Sequence, residues 1–285
     1  MKKIVITTIV AFTLSLFGGA YAQFAGAVID YTPGTLLNAD WSTGNPSLYN
    51  NPNAVLGQPN GIVDYPGWPC VYSPFNPPCL TTDLTGIGVG GQLTLQLQNY
   101  VTVAPGAFEI GIWSNVGLVD TEYGQGVTGN PVSPFGPPAC AVVSVSADGI
   151  SWVTLNNGNP ITFGLPGNYY LNAGPEDPAA PASPQLADFG KPFTGTLSDF
   201  NNETYSQVLS TLNGSAGGTW LDLSNTGLSE VGYIRFSDVP SGELDLSTVS
   251  INSSLAGAPV PEPGSAGLLL LCAGGMAALM RRRRV

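Results

Sequence analysis

Histidine is absent from all 285 residues. Its absence excludes the Ser-His-Asp and Cys-His catalytic arrangements, His-ligated zinc, and acid–base work by imidazole. Basic residues are nearly as scarce. Of the eight Lys and Arg, six stand at the two ends (Lys2, Lys3 and Arg281 to Arg284), which leaves only Lys191 and Arg235 between them. Eighteen of the nineteen acidic residues lie in that same interior, so residues 23–260 carry a net charge of about −16. A surface of that sign is a poor partner for nucleic acid or an anionic membrane face and a plausible one for cations. Cysteine is limited to four positions. Cys70 and Cys79 bracket the Pro-rich stretch 71–78 and are the candidate disulfide pair. Cys140 is then either unpaired or the true partner of one of them, and Cys272 lies in a C-terminal apolar run.

Good helix formers are also few, whereas Gly (37) and Pro (25) are abundant, a composition that favours many short strands joined by turns. The roughly 240 interior residues are enough for one large all-β domain, a single antiparallel β-sandwich or barrel with long Gly/Pro loops.

The ends are targeting segments. Lys2 and Lys3 precede an apolar run from Ile4 to Phe17, and Ala20-Tyr21-Ala22 is an Ala-x-Ala cleavage site, so residues 1–22 read as a Sec signal peptide that leaves Gln23 first. At the other end, Pro261-Glu262-Pro263 is followed by an uncharged run from Gly264 to Met280 and then Arg281, Arg282, Arg283 and Arg284. A helix over that run would measure roughly 25 Å, at the short end of what spans a bilayer core, and the arginines would keep its far end cytoplasmic. Triplet, helix and arginine cluster in this order resemble the PEP-CTERM sorting signal of Gram-negative bacteria. The resemblance implies that an exosortase, a membrane-embedded transpeptidase-like enzyme, acts at the triplet, removes the helix and passes the protein to the cell surface. Glu262 would then be a recognition residue rather than a catalyst. The expected organisation is a signal peptide (1–22), a β-sandwich domain (23–252), a small-residue linker (253–260) and the sorting signal (261–285), with an inner-membrane intermediate before surface release.

Within the domain, Ala27 to Tyr31 reads as a first strand closed by the turn Thr32-Pro33-Gly34. Leu93 to Gln98 alternates strictly, with Leu93, Leu95 and Leu97 inward and Thr94, Gln96 and Gln98 toward solvent. Phe108 to Trp113 follows as another strand. Asp148-Gly149 predicts a two-residue type I′ hairpin in which Ala147 faces Ile150, Val145 faces Trp152, and Ser146 faces Ser151. Ser198 to Leu212 predicts one short helix. Trp220 to Leu223, Gly232 to Phe236 and Leu244 to Ile251 predict the closing strands.

Several stretches, in this order, are similar to the domain often found upstream of PEP-CTERM signals: 30–34, 54–59, 72–80, 86–97, 143–155, 217–228 and 231–238. That resemblance implies a jelly-roll sandwich akin to galactose-binding and discoidin-like domains. Relatives carry acids in the loop after the Leu-rich strand, then an Asp. Here residues 102–106 hold no acid and Glu109 falls nearest the expected Asp.

Two kinds of site are expected. Glu109, Asp222, Asp238 and Asp245, near strand ends, are candidate calcium ligands, the alternative being solvated surface acids. Trp41, Tyr49, Trp68, Tyr72, Tyr169 and Tyr170, in loops, are candidate stacking faces for an extracellular polysaccharide, the alternative being aromatic cover over the sheets. Trp113, Trp152 and Trp220 are expected in the core. Catalysis is not expected: a carboxylate pair is the acid–base chemistry left, and eighteen acids make some pair inevitable. Export and sorting would involve the Sec machinery, an exosortase and the membrane. The role implied is structural or adhesive, in an exopolysaccharide or biofilm matrix, with a calcium-dependent carbohydrate-binding module as the alternative.

Overall fold

A computed structural model describes residues 23–37, 48–64, 67–135 and 139–262. The strands are β1 (Gln23–Thr32), β2 (Ile62–Val63), β3 (Cys70–Val71), β4 (Thr85–Gly88), β5 (Gln92–Thr102), β6 (Ile110–Ser114), β7 (Gly117–Leu118), β8 (Pro134–Phe135), β9 (Ala139–Ser146), β10 (Val153–Thr154), β11 (Ile161–Phe163), β12 (Thr219–Leu221), β13 (Glu230–Ser237), β14 (Glu243–Ile251) and β15 (Ala256–Pro259). One short helix, α1 (Tyr205–Leu212), is present among the described residues. Most strands join one antiparallel sheet in the order β10-β9-β13-β5-β1-β14-β6-β12. β11 is added to β9, β15 to β5 and β4 to β14.

The sheet curls because β1 changes partner. Gln23 and Phe24 pair with Ile251 and Ser250 of β14, whereas Ala25 onward pairs with β5. Register shifts between Ala25 and Ala27 and between Val28 and Asp30 supply the bends that let one strand serve both halves. The result is a continuous half-barrel instead of two separate sheets. Its inner side is a single apolar cluster: Leu93, Leu95 and Leu97 of β5, Val143 and Val145 of β9 and Ile234 and Phe236 of β13 meet Ile110 and Ile112 of β6 and Leu246 and Val249 of β14.

The outer side of the β14–β6–β12 half is covered as well. Strand alternation turns Trp113 away from Ile110 and Ile112, and Trp220 away from Leu221. Both indoles enter a second cluster with Phe24, Tyr72, Phe189, Phe193, Phe200 and the α1 residues Val208 and Leu212. Long loops therefore act as a second layer. The expected helix over Ser198–Leu212 is broken: a 3-10 turn over Leu197–Phe200 precedes α1, and Asn202, at φ 56°, separates them. Thr204 starts α1 afresh through a capping box with Gln207.

The Asp148-Gly149 hairpin departs from its expected register. Val145 faces Val153 and Ser144 faces Thr154, which leaves residues 147–152 as the loop. A type I′ turn needs positive φ at both central residues, but of the pair only Gly149 has it, at 74°. Asp148 instead folds its carboxylate back, and Oδ1 accepts from the backbone N–H of Ile150 (2.8 Å) and Ser151 (2.8 Å) and from Ser146 Oγ (3.0 Å). Trp152 is thereby moved out of the core, and the Arg235 guanidinium lies 3.9 Å from its ring centroid. The N–H groups of Ser151 and Ile150, then the Ser146 hydroxyl, lower the Asp148 carboxyl from its ordinary 3.8 to about 2. A depressed carboxylate contributes stability that is present above its unfolded value and lost as pH falls through the folded one. The Asp148 NMR titration should therefore have its midpoint near pH 2, with the loop amides of Ile150 and Ser151 losing protection over the same range. A midpoint at the ordinary value would refute this loop geometry.

Candidate functional site

The C-terminal end of the domain is built into the sheet. After β14, Asn252 braces the chain: its Nδ2 donates to Phe108 O (3.0 Å) and its Oδ1 accepts from Ser254 N (3.1 Å). A short 3-10 turn over Ser253–Leu255 leads into β15, which pairs with β5 through Ala256 opposite Val101 and Pro259 opposite Asn99. The stretch expected as a linker is thus largely an edge strand. Pro259 is tolerated there because an edge strand needs no inward N–H at every position. Asn99 Nδ2 donates to Gly257 O (2.8 Å), and Val260 N–H donates to Gln98 O (2.9 Å).

Val260 is 7% exposed. Gly232 leaves it room: a Cβ there would lie 2.7 Å from Tyr100 Cε1 and 3.2 Å from Val260 Cγ2. Gln96, expected to face solvent, is 4% exposed, and its Nε2 donates to Pro261 O (2.7 Å). Thr94 is covered in the same way and accepts from Arg235 Nε (3.1 Å). Pro261 and Glu262 then emerge exposed. Sequence reasoning missed this seat of Gln96, Gln98, Asn99, Tyr100 and Gly232, although the Gln-x-Gln-Asn-Tyr run over residues 96–100 was a visible cue.

Gln23, the expected first residue after signal cleavage, opens β1 and pairs with Ile251 of β14. Ala20, Ala22, Pro263 and Arg281, Arg282, Arg283 and Arg284 lie outside the described residues, as does the apolar run 264–280. Among the described residues no helix is long and apolar enough to cross a membrane.

The four candidate calcium ligands have protein partners. Glu109 is fully buried. Its Oε1 accepts from Ala104 N (3.0 Å) and its Oε2 from Leu223 N (2.8 Å). Asp222 Oδ1 accepts from Ser224 N (2.8 Å). Asp238, in a left-handed conformation at φ 48°, accepts from Ser237 Oγ (3.0 Å). Asp245 is buried on β14 and accepts from Asn115 Nδ2 (2.9 Å).

Beside Asp245, the sequence pattern Glu243-x-Asp245 sets a second acid on the same strand face. Gly86 admits both, since a Cβ there would lie 2.1 Å from Glu243 Oε1 and 3.2 Å from Asp245 Oδ1. Tyr31 completes this corner by donating to Gly86 O (2.8 Å). Its own burial first, then the charges of Glu243 and Asp245, push its hydroxyl up to about 12. No group of three or more His, Cys, Asp and Glu residues among the described residues is arranged to hold a metal ion.

Most of the candidate stacking aromatics are packed away by the covering loops. Tyr72 is fully buried in the second cluster, where desolvation raises its hydroxyl pKa well above the usual range. Tyr49 is 3% exposed, with its hydroxyl donating to Cys79 O (2.7 Å). Tyr170 is buried, and Tyr169 stands edge-on to it with ring centroids 4.6 Å apart. Gln58 Nε2 donates to the Tyr169 hydroxyl (2.9 Å). Trp68 keeps an open face, at 52% exposure, and Trp41 lies outside the described residues. The expected Cys70–Cys79 disulfide is not formed in this structure. Cys70 is a buried free thiol held in the β2–β3 ladder opposite Val63, where burial and then the Glu176 charge raise its pKa to about 11.

No curated protein matches the chain. A family model described as the PEP-CTERM protein-sorting motif matches residues 259–284. It begins at the last residue of β15 and takes in the buried Val260, the exposed Pro261 and Glu262, and the apolar run with its arginines. The C-terminus of this mainly β chain therefore carries a PEP-CTERM sorting motif, which implies an exported protein processed by an exosortase and sorted to the cell surface.

Proposed function

We propose that the chain is a structural or adhesive surface protein whose curled β domain, a distant jelly-roll relative, is delivered by exosortase processing at Pro261-Glu262-Pro263 into an exopolysaccharide matrix. The observation that carries the reading is the sorting motif starting at Pro259, the last residue of β15, with Pro261 and Glu262 exposed at the surface. An excess of acids over bases in residues 23–260 suits a hydrated, polyanion-rich exterior in which the protein stays soluble without coating nucleic acid or anionic lipid. The proposed role needs no catalytic group.

The test uses the full chain with an epitope after Val285, expressed in a host that has the cognate exosortase. The epitope should be lost and the domain should reach the cell surface, while Glu262→Ala should keep the epitope and remain with the membrane. Equal processing of both chains would overturn the sorting reading. A glycan array, run with calcium and with chelator, checks the proposed role: binding that vanishes in chelator would replace it with a calcium-dependent carbohydrate module.

A further inference from the structure

We propose that Ala256–Pro261 is a releasable strap, and that the exosortase acts on chains in which this strap has peeled from β5. The inference rests on the sorting reading above and concerns the regulation of that site. Four contacts hold the segment directly before the triplet: the ladder opposite Val101 and Asn99, the Asn99 bond to Gly257 O, the Val260 bond to Gln98 O, and the Gln96 bond to Pro261 O. Val260 is inserted between the strands beside Tyr100 and Gly232. No free spacer separates the domain from Glu262, so a membrane-embedded enzyme that must take the chain on both sides of the triplet meets the curled sheet directly.

The strap is also the part of the sheet best suited to local release. It is a terminal edge strand whose residues 256–259 are all exposed, and two of its bonds come from side chains. Such segments open at the low end of a protein's local stabilities without global unfolding. β1 has left β5 at Ala25, and β15 takes the β5 edge beyond that point. Peeling therefore frees the β5 edge at residues 98–101 together with Gln96 and Gly232, and it takes no side chain of residues 256–261 out of the inner cluster.

The test follows loss of a C-terminal epitope from the full chain by pulse-chase. Gln96→Ala with Asn99→Ala removes two side-chain bonds outside the sorting motif and should speed processing ~5–30-fold, in a chain that still unfolds in one transition with its melting temperature lowered by only a few degrees. Asn99→Cys with Pro259→Cys pins the strap. Antiparallel partners have Cα atoms ~4.5–5.5 Å apart, within the ~4.4–6.8 Å that a disulfide spans. The oxidised chain should stall, and reductant should restore processing. An unchanged rate in the loosened chain, or processing of the pinned chain while oxidised, would overturn the strap and leave the sorting reading intact. Processing of Glu262→Ala at the parent's rate would remove both.

Discussion

Replacing Glu109 by alanine should lower the unfolding free energy by about 3–5 kcal/mol, because it removes a fully buried acceptor and orphans two backbone donors, each at a cost of about 1–3 kcal/mol. The two donors, Ala104 N and Leu223 N, belong to different loops, the one after β5 and the one after β12. Glu109 is itself tied to the ladder, its N–H donating to Leu221 O and its carbonyl accepting from Asn252 N–H. The side chain thus fastens the loops after β5 and β12 to each other, while the Glu109 backbone ties them to the C-terminal exit at Asn252. Glu109→Gln keeps one acceptor but turns an NH2 toward one of the donors, so it should cost about half as much. Urea unfolding at neutral pH would measure both. The losses should be equal in calcium and in chelator, since the two oxygens are already engaged. Stability close to the parent's would refute the brace, and a calcium-dependent loss would restore Glu109 as a ligand.

The same use of carboxylates recurs through the domain. Asp120 accepts from the N–H groups of Glu122, Gly126 and Val127, and these outweigh the burial that by itself raises its pKa, so that the net shift is downward. Asp188 holds Gly190 N, Asp199 holds Thr196 N, and Asp148 holds its own loop. A chain with eighteen interior acids and two interior bases cannot balance them with ion pairs. Here many of them are satisfied by backbone amides in turns, the chemistry that favours Asp in such positions. Acidity that suggested cation binding from composition is in large part loop architecture.

Strand existence was legible where alternation was strong. Leu93, Leu95 and Leu97 point inward as their spacing requires, and β13 and β14 fall on the expected closing strands. The opposite face was not legible. Thr94 and Gln96 are polar, which in isolation means solvent, yet they are covered by groups distant in sequence, Arg235 and Pro261. The loop aromatics mislead for a related reason. Tyr72 and Tyr170 sit in Pro-rich stretches that read as surface, but those loops form a layer of their own over Trp113 and Phe189. The small residues of 253–260 suggested a linker because short side chains carry no periodic signal, whereas what fixes them is the backbone ladder to β5 and one buried valine.

That second layer should depend heavily on one indole: Trp113→Ala is expected to cost about 3–5 kcal/mol, the range for removing a buried tryptophan. Trp113 is fully buried. Its ring lies 5.0 Å from Phe189 and 5.7 Å, edge-on, from Trp220, and its Nε1 donates to Ala216 O (2.8 Å). The backbone is shaped around it. Gly218 has φ +76°, and a Cβ there would lie 2.7 Å from the indole, so neither the conformation nor the space admits another residue comfortably. Gly167 approaches from the other side, where a Cβ would lie 2.8 Å from Cδ1. A cavity at this point takes contacts from β12, from the loop through Phe189 and from the segment after α1, but none from the inner cluster of Leu93, Leu95 and Leu97. The damage should therefore be uneven. Limited proteolysis of Trp113→Ala should cut within 165–217 well before the inner strands open, and Trp113→Phe, which keeps an aromatic ring but loses the bond to Ala216 O, should cost less. If chemical denaturation showed less than about 1 kcal/mol lost, or cleavage appeared equally across the chain, the loops would be an ornament on the half-barrel and not its second packed layer.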